Sequence, residues 1–250
     1  MFDRRSAIFG SFSAFCTYAL LHEARAAVGT DSRLSPRRWL LRQDELARGL
    51  KNGTLTQIAW HDEVNALARE VDVSAIAAEI RRARLVSAGT PFGHDPRKRL
   101  VRFIGEDGQP ARLSYGTALF DFGEGNVITP HAHKHMASAH MVIDGKVRIR
   151  TFDRVGDSEN ALLIRPTSDH TAEEGEAAAM TTARDNIHWF APRSPRAMTF
   201  DVIVDGLDAG KERYVIQPVD PLGGTWLDSH TLRAPLLTFG ESSRRYASTT

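Results

Sequence analysis

The stretch GNVITPHAHKHMASAHMVIDGKVRIRTFD, residues 125–153, places two histidines one residue apart, ahead of a glycine turn and a run of alternating residues. In an extended strand, side chains at positions i and i+2 point to the same face. His131 and His133, with His135 sharing their parity, can therefore converge on one point inside a sheet or barrel. Neutral imidazoles suit iron, zinc, copper and nickel. The pattern predicts half of a metal site, and the alternative is a polar surface turn with clustered histidines.

A distant histidine favours the metal hypothesis. His188 lies in the segment RDNIHWFAP, residues 184–192, about one hairpin and a loop after the paired histidines. Asp185 and Asn186 beside it are suited to a turn and to hydrogen bonds that orient imidazoles. The only cysteine, Cys16, falls in a leader-like segment. Without that segment no disulfide, cysteine-based zinc site or thiol nucleophile can form, so histidine, assisted by carboxylates, must carry any transition-metal chemistry.

The composition limits the class of protein and its partners. The 250 residues carry 32 Lys and Arg against 31 Asp and Glu, a formal net charge of +1, with no long basic run. This balance gives no electrostatic basis for binding nucleic acid. Apolar residues at 42% and charged residues at 25% are ordinary for a soluble globular protein. The length predicts one large β domain with a helical appendage, or two small domains.

Residues 1–26 have the features of a targeting segment. Arg4 and Arg5 form a twin-arginine pair, residues 7–21 are mostly apolar, and residues 24–26 give a small-x-small cleavage pattern. The apolar run is shorter than the roughly 20 residues of a membrane span. We expect a twin-arginine signal that exports the folded protein to the periplasm or out of the cell, without stable membrane association afterwards. The alternative is a frayed amphipathic helix.

The rest of the chain divides into a helical segment, residues 35–87, and a β segment, residues 91–235. In the helical segment, apolar residues recur at the three- and four-residue spacing of one helix face. The three predicted stripes are Trp39, Leu46 and Leu50; Trp60, Val64, Leu67, Ala68 and Val71; and Ile76, Ile80 and Ala83. From Pro91 onward, turns rich in Gly, Pro and Asp separate short runs of period-two patterning. This texture predicts an all-β sandwich or barrel braced by the helices.

Two later segments are expected to lack regular structure. Residues 155–180 are polar and acidic and predict a loop-rich insert. Residues 236–250 predict a C-terminal tail, whose serine and threonines at the very end should fray. His61, beside Trp60, is expected at the surface or partly buried. Surface roles are expected for the histidines without a pattern, which are His22, His94, His170 and His230.

The spacing around the paired histidines resembles the first motif of cupins, in which a glycine, a His-x-His, a glutamate and a second glycine follow one another. Gly125 and Gly145 stand at the glycine positions, and Ser138 stands at the glutamate position. The resemblance implies a mainly β fold, the cupin double-stranded β-helix or jelly-roll barrel, with an N-terminal helical segment. It also implies a site that has lost its carboxylate ligand. Three neutral histidines would leave the charge of the metal uncompensated, which favours an anionic donor such as a thiolate.

A narrower resemblance is to the cysteamine (2-aminoethanethiol) dioxygenase and plant cysteine oxidase family. Within PHAHKHMASAHMVIDGKVRIRTFDRV, residues 130–155, Met136 and Phe152-Asp153 match family positions, as does the glycine of the turn. The segment RDNIHWFAP followed by AMTFDVIVDG matches the second half. The resemblance extends over about residues 35–220.

This resemblance implies a mononuclear non-haem Fe(II) enzyme with His131, His133 and His188 as metal ligands. It would use O2 to convert a small thiol, or the N-terminal cysteine of a peptide, to a sulfinic acid. Asp201 matches the family's buried aspartate, and Tyr214 can stand for one of its tyrosines. Both are candidate catalytic residues that would orient a substrate amine. The family's Pro-Pro-Tyr and Cys-x-Tyr-Tyr segments are missing here, and no cysteine is present for a thioether crosslink.

Further residues are candidates for the surroundings of the site. His140 shares strand parity with Ser138 and is interpreted as a wall or a proton relay ahead of a substitute ligand. His135 lies past the motif and is expected at the rim. The apolar wall is expected from Phe120, Trp189 and Met198.

Two rival functions stay open at this stage. One is another metal-dependent cupin oxygenase or isomerase, acting on a phenolic, sugar or carboxylate substrate. The other is a non-catalytic periplasmic cupin that binds a metal or a small ligand as a sensor or carrier. The fold does not separate them, because cupin barrels host many functions.

Overall fold

The computed structural model describes residues 33–105 and 107–247, and the predicted leader, residues 1–26, lies outside them. The helices are α1 Pro36–Lys51, α2 Gln57–Ala68, α3 Val73–Arg82 and α4 Phe239–Tyr246. The strands are β1 Arg84–Ser87, β2 Arg97–Arg102, β3 Gly116–Phe122, β4 Ile128–Lys134, β5 Met136–Asp144, β6 Val147–Ser158, β7 Ala161–Ala172, β8 Ala177–Met180, β9 Ile187–Pro192, β10 Ala197–Asp205, β11 Val215–Pro218, β12 Thr225–Trp226 and β13 Leu232–Pro235. None of the described helices is long and apolar enough to cross a membrane.

The strands form two antiparallel sheets. One has the order β1-β2-β3-β10-β5-β8, and the other has the order β11-β4-β9-β6-β7-β13-β12. From β3 to β10 the chain changes sheet at every connection except the β6–β7 hairpin. The eight central strands thus have the order β3-β10-β5-β8 facing β4-β9-β6-β7, which is a double-sheet jelly roll, the architecture of cupins. The predicted mainly β fold with short N-terminal helices is confirmed.

The three N-terminal helices cover the outer face of the six-stranded sheet. Each begins at a capping side chain, since Ser35, Thr56 and Asp72 accept a hydrogen bond from a backbone N–H of the first turn. The apolar stripes that the sequence predicts are buried, and the Trp39 ring lies 6.0 Å from the ring of Phe200 on β10. Burying such a side chain stabilises the fold by roughly 1.5–3 kcal/mol. The helices therefore fix the position of the sheet behind the site.

Alternation along β10 separates the two faces of this sheet. Phe200 and Val202 pack against the helices, whereas Thr199 and Asp201 face the interior between the sheets. Residues paired with Thr199 and Asp201 on neighbouring strands share that inner face. The interior is thus lined by alternate residues of both sheets, polar at the centre and apolar toward one end, where Phe122 belongs to a buried cluster.

The predicted end of the helical segment and the predicted loop at residues 155–180 are wrong. The helical segment was expected to extend to residue 87, but α3 ends at Arg82, the backbone of the following Ala83 is extended, and β1 pairs with β2. Residues 155–180 were expected to form a loop, but most of them belong to the long hairpin of β6 and β7 and to β8. Their polar composition fits a strand face exposed to solvent, where Arg148 forms a two-pronged ion pair with Asp169.

The predicted C-terminal tail, residues 236–250, contains the helix α4, which the sequence analysis does not predict, and the fraying expected at the very end falls on residues outside the described chain. Thr238 and Glu241 form a capping box at its first turn, a pattern that satisfies two backbone N–H groups. Tyr246 in the last turn is fully buried, and its hydroxyl donates a 2.7 Å hydrogen bond to Asp220. A short amphipathic helix is therefore held by one buried aromatic anchor, and only residues 248–250 of the tail lie outside the described chain.

Candidate metal centre

Three histidines converge from two neighbouring strands. His131 on β4 is the direct cross-strand partner of His188 on β9, and His133 follows two positions along β4. The ring centroid of His188 lies 4.2 Å from that of His131 and 4.8 Å from that of His133. One nitrogen from each ring lies within 4.8 Å of the others, so the cluster could hold a metal ion. Parity along β4 and the pairing of β4 with β9 together produce this convergence.

The hydrogen bonds of His131 assign its coordinating nitrogen. Its Nδ1 lies 2.8 Å from the Thr129 carbonyl oxygen, which can only accept, so Nδ1 carries the proton and Nε2 keeps its lone pair. That Nε2 lies 3.1 Å from Nε2 of His133. Two nitrogens bound at a right angle to one ion, with bonds near 2.1 Å, would lie about 3.0 Å apart. A backbone carbonyl that holds the second nitrogen is the usual support of a metal-bound histidine.

Burial keeps the cluster uncharged. His133 and His188 are 4% and 1% exposed, and desolvation holds the pKa of both well below the ordinary 6.5. Desolvation also lowers the pKa of His131 to about 4, although its hydrogen bond to Thr129 opposes the shift. Metal binding requires neutral imidazole, so no proton has to be removed near neutral pH. The Nδ1 atoms of His133 and His188 are buried, and neither has a hydrogen-bond partner among the residues that the structure describes.

No carboxylate joins the cluster among the described residues. Ser138, which stands where the cupin motif has glutamate, is 1% exposed, and its hydroxyl has no hydrogen-bond partner in the described chain. The donor set is therefore three neutral imidazoles. This set fits Fe(II), as it fits zinc, copper or nickel, and it leaves the charge of a divalent ion uncompensated.

Asn186 ties β4 to the turn before β9. Its side-chain amide donates to the backbone carbonyl of His133 at 2.8 Å and to that of Thr181 at 3.3 Å, and the residue is 1% exposed. The sequence suggested a role for Asn186 in orienting imidazoles. The structure places its hydrogen bond on the backbone of His133 and not on its ring. Asn186 therefore fixes the strand that presents the ligand.

His61 is buried, so the expectation of a surface or partly buried position is wrong. Its Nε2 lies 2.9 Å from a carboxylate oxygen of Asp185, whose other oxygen accepts a hydrogen bond from Thr167. The Thr167 hydroxyl is 2.8 Å from that of Thr151, which is the cross-strand neighbour of His188 on β6. This polar chain joins α2 to the strands around His188. The hydrogen bond between His61 and Asp185 joins residues 124 positions apart, and no local pattern in the sequence indicates it.

His140 and Asp201 form a buried pair on the inner face of the opposite sheet. They are direct cross-strand partners on β5 and β10, with Nε2 of His140 3.5 Å from a carboxyl oxygen of Asp201. Desolvation lowers the pKa of His140 to about 3 and raises the pKa of Asp201 to about 8. Both groups are therefore neutral near pH 7, and the pair is not a salt bridge despite its distance. The His140 ring lies 5.8 Å from that of His188, which places it in the wall of the site, outside the set of candidate ligands.

The remaining polar candidates lie farther out. Tyr214 precedes β11 and is 52% exposed, and no hydrogen bond or ring contact within the described chain joins it to the three histidines. His135 occupies the turn between β4 and β5 with a φ of 61° and forms a hydrogen bond with Asp208. The exposed positions expected for His94, His170 and His230 are confirmed, and His22 lies outside the described residues.

The apolar wall is only partly as expected. The Phe120 ring lies 5.1 Å from that of His140, so Phe120 does line the interior. Trp189 lies on the opposite face of β9 and packs on Tyr246, and Met198 packs with the helical cluster, so both predictions are wrong. Phe190, 5.0 Å from His188, takes the inner position. Counting in twos from His188 would have selected Phe190 from the sequence.

Lys98 is the inner-face residue that the sequence analysis missed. It pairs with Phe120 across β2 and β3, and its Nζ lies 5.0 Å from the centre of that ring. Its charge contributes to the low pKa of His131, His133 and His140, after desolvation in each case. The sequence shows only a basic run, RKRL, at residues 97–100. Which of these side chains faces inward depends on the pairing of β2 with β3, and the run itself does not indicate that pairing.

Comparison with known proteins shows likeness at the level of the fold. No protein-family profile and no curated protein sequence matches the chain. Among solved structures, an oxalate oxidase is 17% identical with a TM-score of 0.35, over 52% of this chain and 58% of that one. A sugar phosphate isomerase from a cupin superfamily, from Silicibacter pomeroyi, is 19% identical with a TM-score of 0.32, over 49% and 71%. Procruciferin, an 11S globulin from Brassica napus, is 10% identical with a TM-score of 0.33, over 42% and 23%.

These solved structures include an oxidase, an isomerase and a globulin. The chain spans a little over half the length of the oxalate oxidase structure, 58% of it. At such identities and scores the likeness adds nothing about activity, and the fold assignment rests on the strand order of the two sheets.

Proposed function

We propose that this protein is a mononuclear Fe(II) thiol dioxygenase. The observation that carries the proposal is the donor set, three buried neutral imidazoles without a carboxylate, with Ser138 at the position of the cupin glutamate. A divalent ion held in this way keeps its full charge, which favours an anionic thiolate donor from the substrate. The resemblance of the two histidine segments to the cysteamine dioxygenase and plant cysteine oxidase family points to the same class of substrate.

The overall reaction balances without a further reductant. A thiol, RSH, and O2 give a sulfinic acid, RSO2H, so both oxygen atoms add to sulfur, which loses the four electrons that O2 gains. When bound, Fe(II) supplies an electropositive centre that lowers the pKa of a thiol and redox chemistry toward O2. His131, His133 and His188 would hold it.

The protein's own groups orient the reactants and keep protons in place. The Thr129 carbonyl fixes the tautomer of His131, and Asn186 fixes the strand that carries His133. A protonated Asp201 can donate a hydrogen bond, while neutral His140 can accept one at Nε2 and shares a 3.2 Å contact at Nδ1 with the hydroxyl of Thr199. This neutral pair lets a proton be held beside the substrate without a buried charge.

The test uses the full chain, stripped of metal by a chelator and loaded anaerobically with Fe(II). Oxygen uptake is followed with cysteamine, cysteine, 3-mercaptopropionate and a peptide that begins with cysteine, and mass spectrometry looks for a gain of two oxygens in the product. We expect uptake coupled to that gain, lost in His188→Ala and kept in the matched control His170→Ala, whose histidine is exposed on β7. An iron-replete protein that consumes no oxygen with any thiol would refute the proposal and favour other cupin chemistry or simple ligand binding.

We also propose export through the twin-arginine segment at residues 1–26. Changing Arg4 and Arg5 to lysine should leave the protein in the cytoplasmic fraction with an intact N-terminus. The unchanged chain should be recovered from the periplasm or the medium. Equal distribution of both chains would refute export by this route.

A further inference from the structure

We propose that Lys98 is the specificity-determining residue of the site and that the substrate carries an anionic group, a carboxylate, at the end remote from the metal. The inference rests on the proposed function for its thiol and extends it by naming the substrate class, a short mercaptocarboxylate. The resemblance to a family that acts on amine-bearing thiols would have predicted a positively charged group at that end of the substrate.

The first step is the position of Lys98 on the inner face. Lys98 on β2 pairs with Phe120 on β3, and Phe120 pairs with Thr199 on β10. Direct cross-strand partners lie on the same face of a sheet. Thr199 contacts His140 in the interior, so the Lys98 side chain belongs to the same lining as the candidate catalytic pair.

The second step is the path from the ammonium to the metal ligands. The Nζ of Lys98 lies 5.0 Å from the Phe120 ring, which lies 5.1 Å from the His140 ring, which in turn lies 5.8 Å from the His188 ring. This path runs through inner-face side chains only, so the ammonium lies on the side of the sheet that faces the site and not on its outer surface.

The third step is that the ammonium has no anionic partner of its own. In residues 33–105 and 107–247 no carboxylate pairs with Lys98 and no acceptor takes a hydrogen bond from it, and its one contact of this kind is the face of Phe120. Asp201 shares the inner face but is protonated near neutral pH, because burial raises its pKa more than the charge of Lys98 lowers it. A partly buried ammonium over an aromatic ring, next to neutral groups, is a site for an incoming anion.

The competing explanation is that Lys98 only covers Phe120 by a cation–π contact and extends to solvent, as many lysines do. That role predicts a loss of stability in Lys98→Met and the same effect on every substrate. The proposed role predicts an effect that depends on the charge of the substrate. The two explanations are therefore separated by a pair of ligands that differ only in charge.

The decisive pair is 3-mercaptopropionate and 3-mercaptopropionamide, nearly identical in shape. With the Fe(II)-loaded full chain, we expect kcat/KM to be about 10- to 100-fold higher for the acid, the range for a hydrogen bond to a charged partner. Lys98→Met should remove that preference, mainly by raising KM for the acid, and Lys98→Arg should keep most of it. Lys211→Met, on an exposed loop, should behave as the unchanged chain. Equal rates for acid and amide, or a Lys98→Met variant that keeps the preference, would overturn the proposal for Lys98 and leave the dioxygenase intact.

A second readout does not depend on turnover. The Co(II)-substituted full chain is titrated with the same two thiols, and binding is followed by the visible absorption of the metal. We expect the acid to bind about 10- to 100-fold more tightly than the amide, and Lys98→Met to abolish the difference. This result in a protein that oxidises no thiol would refute the dioxygenase and keep the anion site, whereas equal binding of both ligands would overturn the anion site.

Discussion

Replacing Asp201 by asparagine should remove a pH-dependent loss of stability from the metal-free protein. Burial raises the pKa of this carboxyl from an ordinary 3.8 to about 8, so the folded state binds a proton that the unfolded state has released. The resulting contribution to the free energy of unfolding is fully present below the unfolded pKa and is lost as the pH rises through the folded pKa. Above that value the unpaired, buried carboxylate is charged and the contribution is gone.

The histidines of the site restrict where this effect can be seen. Their folded pKa values lie below 6.5, whereas in the unfolded chain they titrate near 6.5, so their effect has the opposite sign and still raises stability above that pH. This rise is common to the unchanged chain and to Asp201→Asn and cancels when the two are compared. Between about pH 6.5 and 8, Asp201 alone among these groups changes its protonation in the folded protein. Over this interval the unchanged protein should lose about 1.5 kcal/mol of stability relative to Asp201→Asn, at 1.36 kcal/mol per unit of pKa shift.

The assay is urea unfolding of the chelator-treated protein at the two pH values, compared between the unchanged chain and Asp201→Asn. The comparison uses the difference between pH values, because the amide also changes the absolute stability through its own hydrogen bonds. Asp144→Asn, on an exposed carboxylate of β5, is the matched control and should show the same change between the two pH values as the unchanged chain. An Asp201→Asn variant whose stability changes between the two pH values just as that of the unchanged chain does would show that Asp201 is ionised at pH 6.5 and refute the neutral pair.

Three further predictions concern the site and its support. His188→Ala should reduce the Fe(II), Zn(II) or Co(II) retained after dialysis to the level of a chelated blank, because two imidazoles would remain, and full retention would exclude His188 as a ligand. Asn186→Ala should weaken metal affinity by about 10- to 100-fold, measured by competition with a chelator, because it frees the strand at His133, and an unchanged midpoint would contradict this. Tyr246→Phe should lower the free energy of unfolding by about 1–3 kcal/mol in urea, since it leaves buried Asp220 without its hydroxyl donor, and a change near zero would show that solvent replaces that bond.

The sequence is most informative where the signal is local. The capped helices, the buried apolar stripes and the parity of the histidines on β4 all depend on residues within one or two turns of each other. The hydrogen-bond pattern of a sheet then turns parity into convergence, because His188 lies opposite His131. Local patterns therefore predicted a β sandwich or barrel and half of the metal site, whereas the cupin fold and His188 as the third ligand were predicted from the resemblance of the two motifs.

The sequence is least informative where a role depends on pairing between distant segments. Lys98 faces inward only because β2 pairs with β3 in one register, and a shift by one residue would turn it outward. His61 meets Asp185 across 124 residues. Trp189 was expected in the wall of the site because it is apolar. It directly follows His188 on β9, however, so strand alternation already places it on the opposite face. The helix α4 within the tail was not predicted, although its capping box is a local signal.

The two sheets hold different parts of the site. The three histidines belong to the seven-stranded sheet, whereas Lys98, His140 and Asp201 belong to the six-stranded sheet that the helices brace. Mutations that remodel one lining need not disturb the other, so descendants of such a barrel can exchange the molecule they accept while the ion stays where it is. For a protein engineer the same division marks β2, β3 and β10 as the strands to randomise, with β4 and β9 left untouched.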